Sequence, residues 1–222
     1  MYQQFHKLVL ETFEEYAHNS PMVGLDHLPP LVRRYFDVHD YRHAAAILAC
    51  DFPNEFDELC KALIGFTFTD DQIKRGGGNE SDIPKTFSTL LRPLGWQEQR
   101  LKARVVIDED TVRSETHKID YVKNRVACEL EWNAKDQTFD RDLYAFRSFF
   151  EYGRVSVGVL VTRSLTLVPY FRRLGAKILA KYGAEGGSTT HMGKLLPRID
   201  AGRSGGCPVL AIGITPQSRR ES

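Results

Sequence analysis

The sequence predicts an α/β fold, a mixed central β-sheet flanked by helices, on three observations. From Arg125 to Asn133 apolar and polar residues alternate with the period of a strand. Two further runs, Val155 to Val161 and Pro208 to Ile214, are almost continuously apolar, as strands buried on both faces must be. Around these runs apolar residues recur at helical spacing, so strands and helices interleave about one layered core.

Each element has its own signal. Gln4 to Tyr16 puts Phe5, Leu8, Val9, Phe13 and Tyr16 on one helical stripe. Ala44 to Ala49 and Phe56 to Ile64 read as two helices parted by Asp51-Phe52-Pro53-Asn54, with Asn54 as N-cap and Gly65 as the stop. Lys123-Asn124 is short enough to be a two-residue hairpin loop, which pairs Val122 with Arg125, Tyr121 with Val126 and Asp120 with Ala127. Thr138 then caps a helix whose buried face is Phe139, Leu143, Phe146 and Phe150, ended by Gly153. A second long helix follows, with Leu167, Phe171, Leu174, Ile178 and Tyr182 on one side and Gly183 after it.

Composition fits one sizeable core: 222 residues, 42% hydrophobic and 27% charged, read as a single domain over 1–222. No apolar stretch is long enough to span a membrane, and Glu11, Glu14 and Glu15 stand where a signal peptide needs apolar residues, so a cytoplasmic location is expected. Cys50, Cys60, Cys128 and Cys207 lack paired metal-ligand spacing and read as reduced structural residues. His39 and His43 would share a helix face if that segment were helical, a zinc spacing that ordinary histidines at a helix start also satisfy. The net charge of +1 hides an asymmetry: residues 1–60 carry four Lys/Arg against ten Asp/Glu, and residues 163–222 carry ten against three. The C-terminal part is therefore either a surface for a polyanion or a solvated basic face.

Asp120, Glu129 and Glu131 are the candidate chemistry. Alternation puts Glu129 and Glu131 on one face with Ala127 and Asn133, and Val126, Cys128, Leu130 and Trp132 on the other. Hairpin pairing brings Asp120 to the acidic face as a diagonal neighbour of Glu129. Like charges gathered this way cost free energy unless a hard divalent cation neutralises them with the oxygen ligands it prefers. Such a trio suits phosphodiester cleavage; an acidic, solvated strand face is the alternative. Arg75-Gly76-Gly77-Gly78-Asn79-Glu80-Ser81 lacks the Lys-Ser/Thr of a phosphate-cradling P-loop and the strand before it, so it reads as a plain loop, or as a segment that orders on DNA.

The segment Ile119 to Glu131, with its Asp, eight residues, Glu, one residue, Glu spacing and its Val-Lys-x-Arg-Val-Ala turn, resembles the catalytic hairpin of the BamHI/BglII/BstYI group of type II restriction endonucleases. His43 to Leu48, Gly95 to Glu98, Val155 to Val159 and Ala201 to Ile214 resemble further segments of the same group, so the likeness touches most of the chain beyond about residue 35. BglII and BstYI carry Gln where this chain has Glu131; here the position follows BamHI, and it differs from the Lys of the wider PD-(D/E)xK nuclease superfamily.

The resemblance implies a restriction-endonuclease-like fold, with 1–100 a mainly helical N-terminal part and 101–216 the catalytic and DNA-reading core. It implies hydrolysis of double-stranded DNA with Mg²⁺, held by Asp120, Glu129 and the carbonyl of Leu130, with Glu131 orienting or deprotonating water. Asn133, Lys135, Ser188, Thr189, Thr190 and Arg203 become candidate DNA contacts. For Ser188 to Thr190 a helix N-cap, and for Arg203 a solvated loop, are the competing readings. A homodimer on a palindrome with a GATC core, four-nucleotide 5′ overhangs, and a cognate DNA methyltransferase in the same restriction-modification system complete the expectation. A structure-specific repair or junction nuclease, or a non-catalytic DNA-binding module, are the alternatives.

Overall fold

The computed structural model describes residues 24–75 and 81–220. The helix expected over Gln4 to Tyr16 lies outside them, as does the centre of the Gly76–Gly78 loop. A short helix α1 (Pro30–Tyr35) leads into strand β1 (Phe36–Tyr41). Helices α2 (Ala44–Asp51), α3 (Pro53–Gly65), α4 (Asp70–Arg75) and α5 (Asp82–Leu91) follow. Strands β2 (Gln97–Ile107), β3 (Asp110–Lys123) and β4 (Val126–Glu131) form a meander, and α6 (Gln137–Glu151) returns to β5 (Val157–Arg163). Helices α7 (Leu167–Leu174), α8 (Ala176–Tyr182) and α9 (Met192–Asp200) precede β6 (Val209–Ile214).

The six strands form one sheet in the order β1-β6-β5-β4-β3-β2. Its centre is parallel, β4 to β5 and β5 to β6, and its flanks are antiparallel, so the sheet is mixed as expected. Sequence pattern assigns the two faces. Val126, Cys128, Leu130 and Trp132 join Val157, Val159, Val161, Leu210, Ile212 and Ile214 in the larger core, beneath α1 to α5, α7 and α8. Ala127, Leu160, Val209 and Ala211 face the opposite layer, where α6 supplies Phe139, Leu143, Phe146 and Phe149, and α9 supplies Met192, Leu195 and Ile199. Close packing of α6 depends on Gly158: a Cβ there would lie 2.4 Å from the Phe146 ring, so only a hydrogen lets helix and strand meet.

Several local expectations need correction. The hairpin loop is Asn124-Arg125, with Lys123 opposite Val126, Val122 opposite Ala127 and Tyr121 opposite Cys128. Asn124 takes the left-handed conformation at φ +50°, which Asn tolerates and Lys does not favour. Shifting the turn by one residue leaves every side chain on its expected face. Pro53 starts α3, in the first helical position that its fixed φ suits, so Asn54 lies inside rather than at the cap. Likewise the N-cap position of α6 is Asp136, whose side chain makes no capping bond, with Thr138 inside the first turn. The long helix expected over 167–182 is two helices, because Gly175 breaks it with φ +116°. His39 is in strand β1 and His43 in a left-handed turn, so the two do not share a helix face. Cys60, Cys128 and Cys207 are buried, Cys50 is exposed, and all four are free thiols. Among the described residues no helix is long and apolar enough to cross a membrane.

Candidate active site

The β3–β4 hairpin is held from below by two glutamates of α3. Glu58 accepts from Lys123 Nζ at 2.6 Å and from the Trp96 indole at 2.8 Å. Glu55, itself buried, accepts from the Asn124 amide, and Lys123 also donates to the Leu94 carbonyl at 2.8 Å. On β3, Tyr121 packs edge-on against Phe87, lies under the Arg92 guanidinium at 4.7 Å, and shares a 2.6 Å hydrogen bond with Ser88. These contacts fix the register of the strand pair that carries the carboxylates.

With that register Asp120 comes next to Glu129, whose Oε2 accepts the Asp120 backbone N–H at 3.2 Å. Glu129 is 2 % exposed, and its Oε1 has no hydrogen-bond partner among the described residues. Glu131, one step on along the same face, lies partly buried near the end of β4, whose last carbonyl accepts from Thr162 Oγ1 at 2.8 Å. Sequence reasoning missed a fourth carboxylate. Asp142 on α6 is 1 % exposed, and neither of its oxygens has a hydrogen-bond partner. It faces Glu131 closely enough for a proton on one to be shared with the other. The signal was present: Asp142 is an acid on the stripe of Phe139, Leu143 and Phe146, where amphipathic spacing calls for an apolar residue.

Burial and mutual repulsion make this cluster retain protons. Burial first, then the Asp142 and Asp120 charges, hold Glu129 well above the usual carboxylate range. Burial and Asp120 push Glu131 up to about 7. Burial raises Asp142 strongly, with Glu131 next in effect, and it raises Asp120 as well. Arg141, whose Nε is 3.8 Å from Asp142, is half exposed and offsets little of this. Orphaned oxygens beside like-charged neighbours form a donor set that suits a hard divalent cation. Among the described residues no three acidic, His or Cys side chains stand close enough together to hold an ion as they are.

The other sequence candidates divide. Asn133 follows β4 and donates from Nδ2 to Ser81 Oγ at 2.8 Å, its own Oδ1 unpartnered; Lys135 is exposed. Ser188 and Thr190 are buried. The Ser188 hydroxyl lies 3.3 Å from the Trp132 carbonyl, and Thr189 Oγ1 accepts from the Asp136 N–H at 2.9 Å. The Thr189 and Thr190 N–H groups both donate to the Ala134 carbonyl, so this stretch is stitched to the segment just beyond Glu131. Arg203 pairs with Asp140 on α6, which Arg198 also bonds at 3.1 Å while reaching Asp136 at 2.9 Å.

Part of the C-terminal positive charge is therefore used inside the fold, by Arg198 and Arg203 on the acids of α6 and its cap and by Arg219 on Asp70. Arg163 is the extreme case. It is 1 % exposed, and its guanidinium donates to the carbonyls of Thr190 (3.0 Å), Tyr182 and Ser188. The rings of Trp132, Phe171 and Tyr182 surround it within 5.9 Å. Burial lowers its pKa to about 10, which still leaves it charged at neutral pH.

A search of curated proteins gave no match. The family model described as restriction endonuclease BglII/BglIII matches residues 36–214, from the first residue of β1 to the last of β6. With that span matched and the carboxylate hairpin at its centre, the chain belongs to the BglII/BglIII restriction endonuclease family and is a type II site-specific deoxyribonuclease, a hydrolase of double-stranded DNA.

Proposed function

We propose that the enzyme cleaves DNA with Mg²⁺ at the cluster of Asp120, Glu129 and Glu131. The observation that carries this reading is Glu129: a carboxylate 2 % exposed with one oxygen unpartnered, next to two further acids on an otherwise apolar face. Asp120, Glu129 and the Leu130 carbonyl would hold the ion. Bound there, a divalent cation supplies Lewis-acid polarisation of the scissile phosphate and acidifies water. Glu131, with its pKa near 7, is suited to orient the attacking water and accept its proton. Water attacks phosphorus, the 3′-oxygen leaves, and the products are a 5′-phosphate and a 3′-hydroxyl.

Asn133 and Lys135, just beyond the carboxylates, are proposed to read base edges. Ser188, Thr189, Thr190 and Arg203 are proposed to act on DNA mainly by shaping the loop and helix beside them, since most of their polar atoms are engaged within the protein. One chain presents one such site, so cutting both strands calls for a two-fold homodimer on a palindrome, proposed to have a GATC core and to leave four-nucleotide 5′ overhangs. Action in the cytoplasm beside a cognate DNA methyltransferase follows from a restriction-modification role.

Plasmid cleavage titrated with Mg²⁺, with Asp120→Asn as control, tests the chemistry. Cutting in EDTA, or cutting by the variant at the wild-type rate, would refute it. Sequencing the ends from a random-sequence library gives the target, and sizing the protein with and without DNA gives the oligomer. A palindrome lacking GATC would sink the target alone, and a monomer on DNA would sink the dimer.

A further inference from the structure

Buried carboxylates elsewhere in this protein have partners. Glu55 has the Asn124 amide, and the partly buried Glu58 has Trp96 and Lys123. Asp142 has no such donor: it is 1 % exposed, at the spacing of Phe139, Leu143 and Phe146 on α6, no described group hydrogen-bonds to either oxygen, and the cation beside it, the half-exposed Arg141, stands off at 3.8 Å. A leucine or alanine would complete that stripe without the cost of burying a polar group that has no partner. Its near carboxylate neighbour is Glu131 of β4, and α6 packs against both β3 and β4. Two carboxylates facing each other cannot satisfy one another when both are ionised; they need a proton or a cation between them.

We infer that Asp142 is a fourth carboxylate of the cation site, supplying from α6 an oxygen ligand opposite Glu131. The inference rests on reading Asp120, Glu129 and Glu131 as the ion site, and it adds to that reading a ligand from outside the hairpin. The site then spans three elements, β3, β4 and α6, so the packing of α6 on the sheet sets its width.

The test is Mn²⁺ binding to the DNA-free full chain by calorimetry, together with thermal unfolding in EDTA and in Mn²⁺. Asp142→Asn should unfold in EDTA at the wild-type temperature or above it, because a carboxyl that burial forces to hold a proton gives way to a neutral amide. It should bind Mn²⁺ about tenfold more weakly or worse, and lose most of the thermal gain that Mn²⁺ gives wild type. Asp142→Leu, which matches the apolar walls, should behave in the same way. Wild-type Mn²⁺ affinity in either variant overturns the inference, as does unfolding of both in EDTA, which would make Asp142 a structural residue. Asp120→Asn separates the two levels of the argument. If it loses Mn²⁺ while Asp142→Asn keeps it, only Asp142 is misassigned; if Asp120→Asn and Glu129→Gln both bind Mn²⁺ as wild type does, the ion site itself is misread.

Discussion

Arg163 and the Glu129–Asp142 pair are buried charges on opposite faces of the same sheet, and the fold treats them in opposite ways. Around Arg163 the chain provides three carbonyl acceptors and three aromatic rings, so the cation is met entirely from within. Around Glu129 and Asp142 it provides other carboxylates and leaves three oxygens without partners. A buried charge that the fold completes holds the structure together. A buried charge that the fold leaves incomplete is where we propose that an ion binds.

Breaking the incomplete side should cost activity and spare the fold. Asp120→Asn or Glu129→Gln should reduce plasmid cleavage by about a thousandfold or more while retaining specific binding in gel-shift assays with Ca²⁺ or no metal. Their unfolding midpoints in EDTA should equal or exceed wild type. A marked loss of stability would place these residues with Arg163.

Breaking the completed side should do the reverse. Arg163→Met removes the donor to three buried carbonyls, so urea unfolding should show a loss of about 3 kcal/mol or more. Residual activity should track the folded fraction. A stable variant would mean that the aromatic box tolerates an apolar occupant and that the carbonyls find other donors.

pH sharpens the contrast further. In the fold Glu131 titrates near 7 against 4.5 as the ordinary value, so between these the native state holds a proton that the unfolded chain has lost. Stability in EDTA should therefore fall as pH rises from about 4.5 to about 7, by of order 2 kcal/mol from Glu131 alone, with Glu129 and Asp142, also held well above the ordinary range, adding to the fall in the same direction. Saturating Mg²⁺ should flatten this slope, because the ion takes the place of the proton. A metal-free stability that rises over the same window would show that the cluster is compensated internally after all.

The smallest expected effect is Glu131→Gln. The amide can still orient water but cannot accept its proton, so the cleavage rate should drop about tenfold and lose its dependence on an ionisation near neutrality. Glu131→Lys should be inactive. Wild-type rates in both would reduce Glu131 to a plain strand residue.

Much of this contrast was legible in the chain before its fold was known, because strand periodicity is a strong signal where one face is apolar. Val126, Cys128, Leu130 and Trp132 marked the core side, and Glu129 and Glu131 stood on the other. The hairpin was found with its turn one residue early, since choosing between Lys123-Asn124 and Asn124-Arg125 depends on which position takes the left-handed φ. Asp142 was passed over as one polar residue of an amphipathic helix, although it sits at apolar spacing from Phe139 and Phe146. Arg163 could not be found that way at all. Its carbonyl partners come from residues 182–190, and nothing local in Val157 to Arg163 announces a loop that folds over its end. The break at Gly175 was hidden by apolar periodicity running through it, because the stripe reports burial and not continuity of the helix axis.

The stitching of Thr189 and Thr190 to the Ala134 carbonyl has a mechanical side. Arg163 clamps the far ends of that loop to the tip of β5, and the loop in turn grips the chain three residues past Glu131. Through these bonds the 188–190 stretch is tied both to the end of β5 and to the segment that follows Glu131. Any shift of that stretch must therefore break the Ala134 contact or carry it along, which ties the position of the loop to the end of β4.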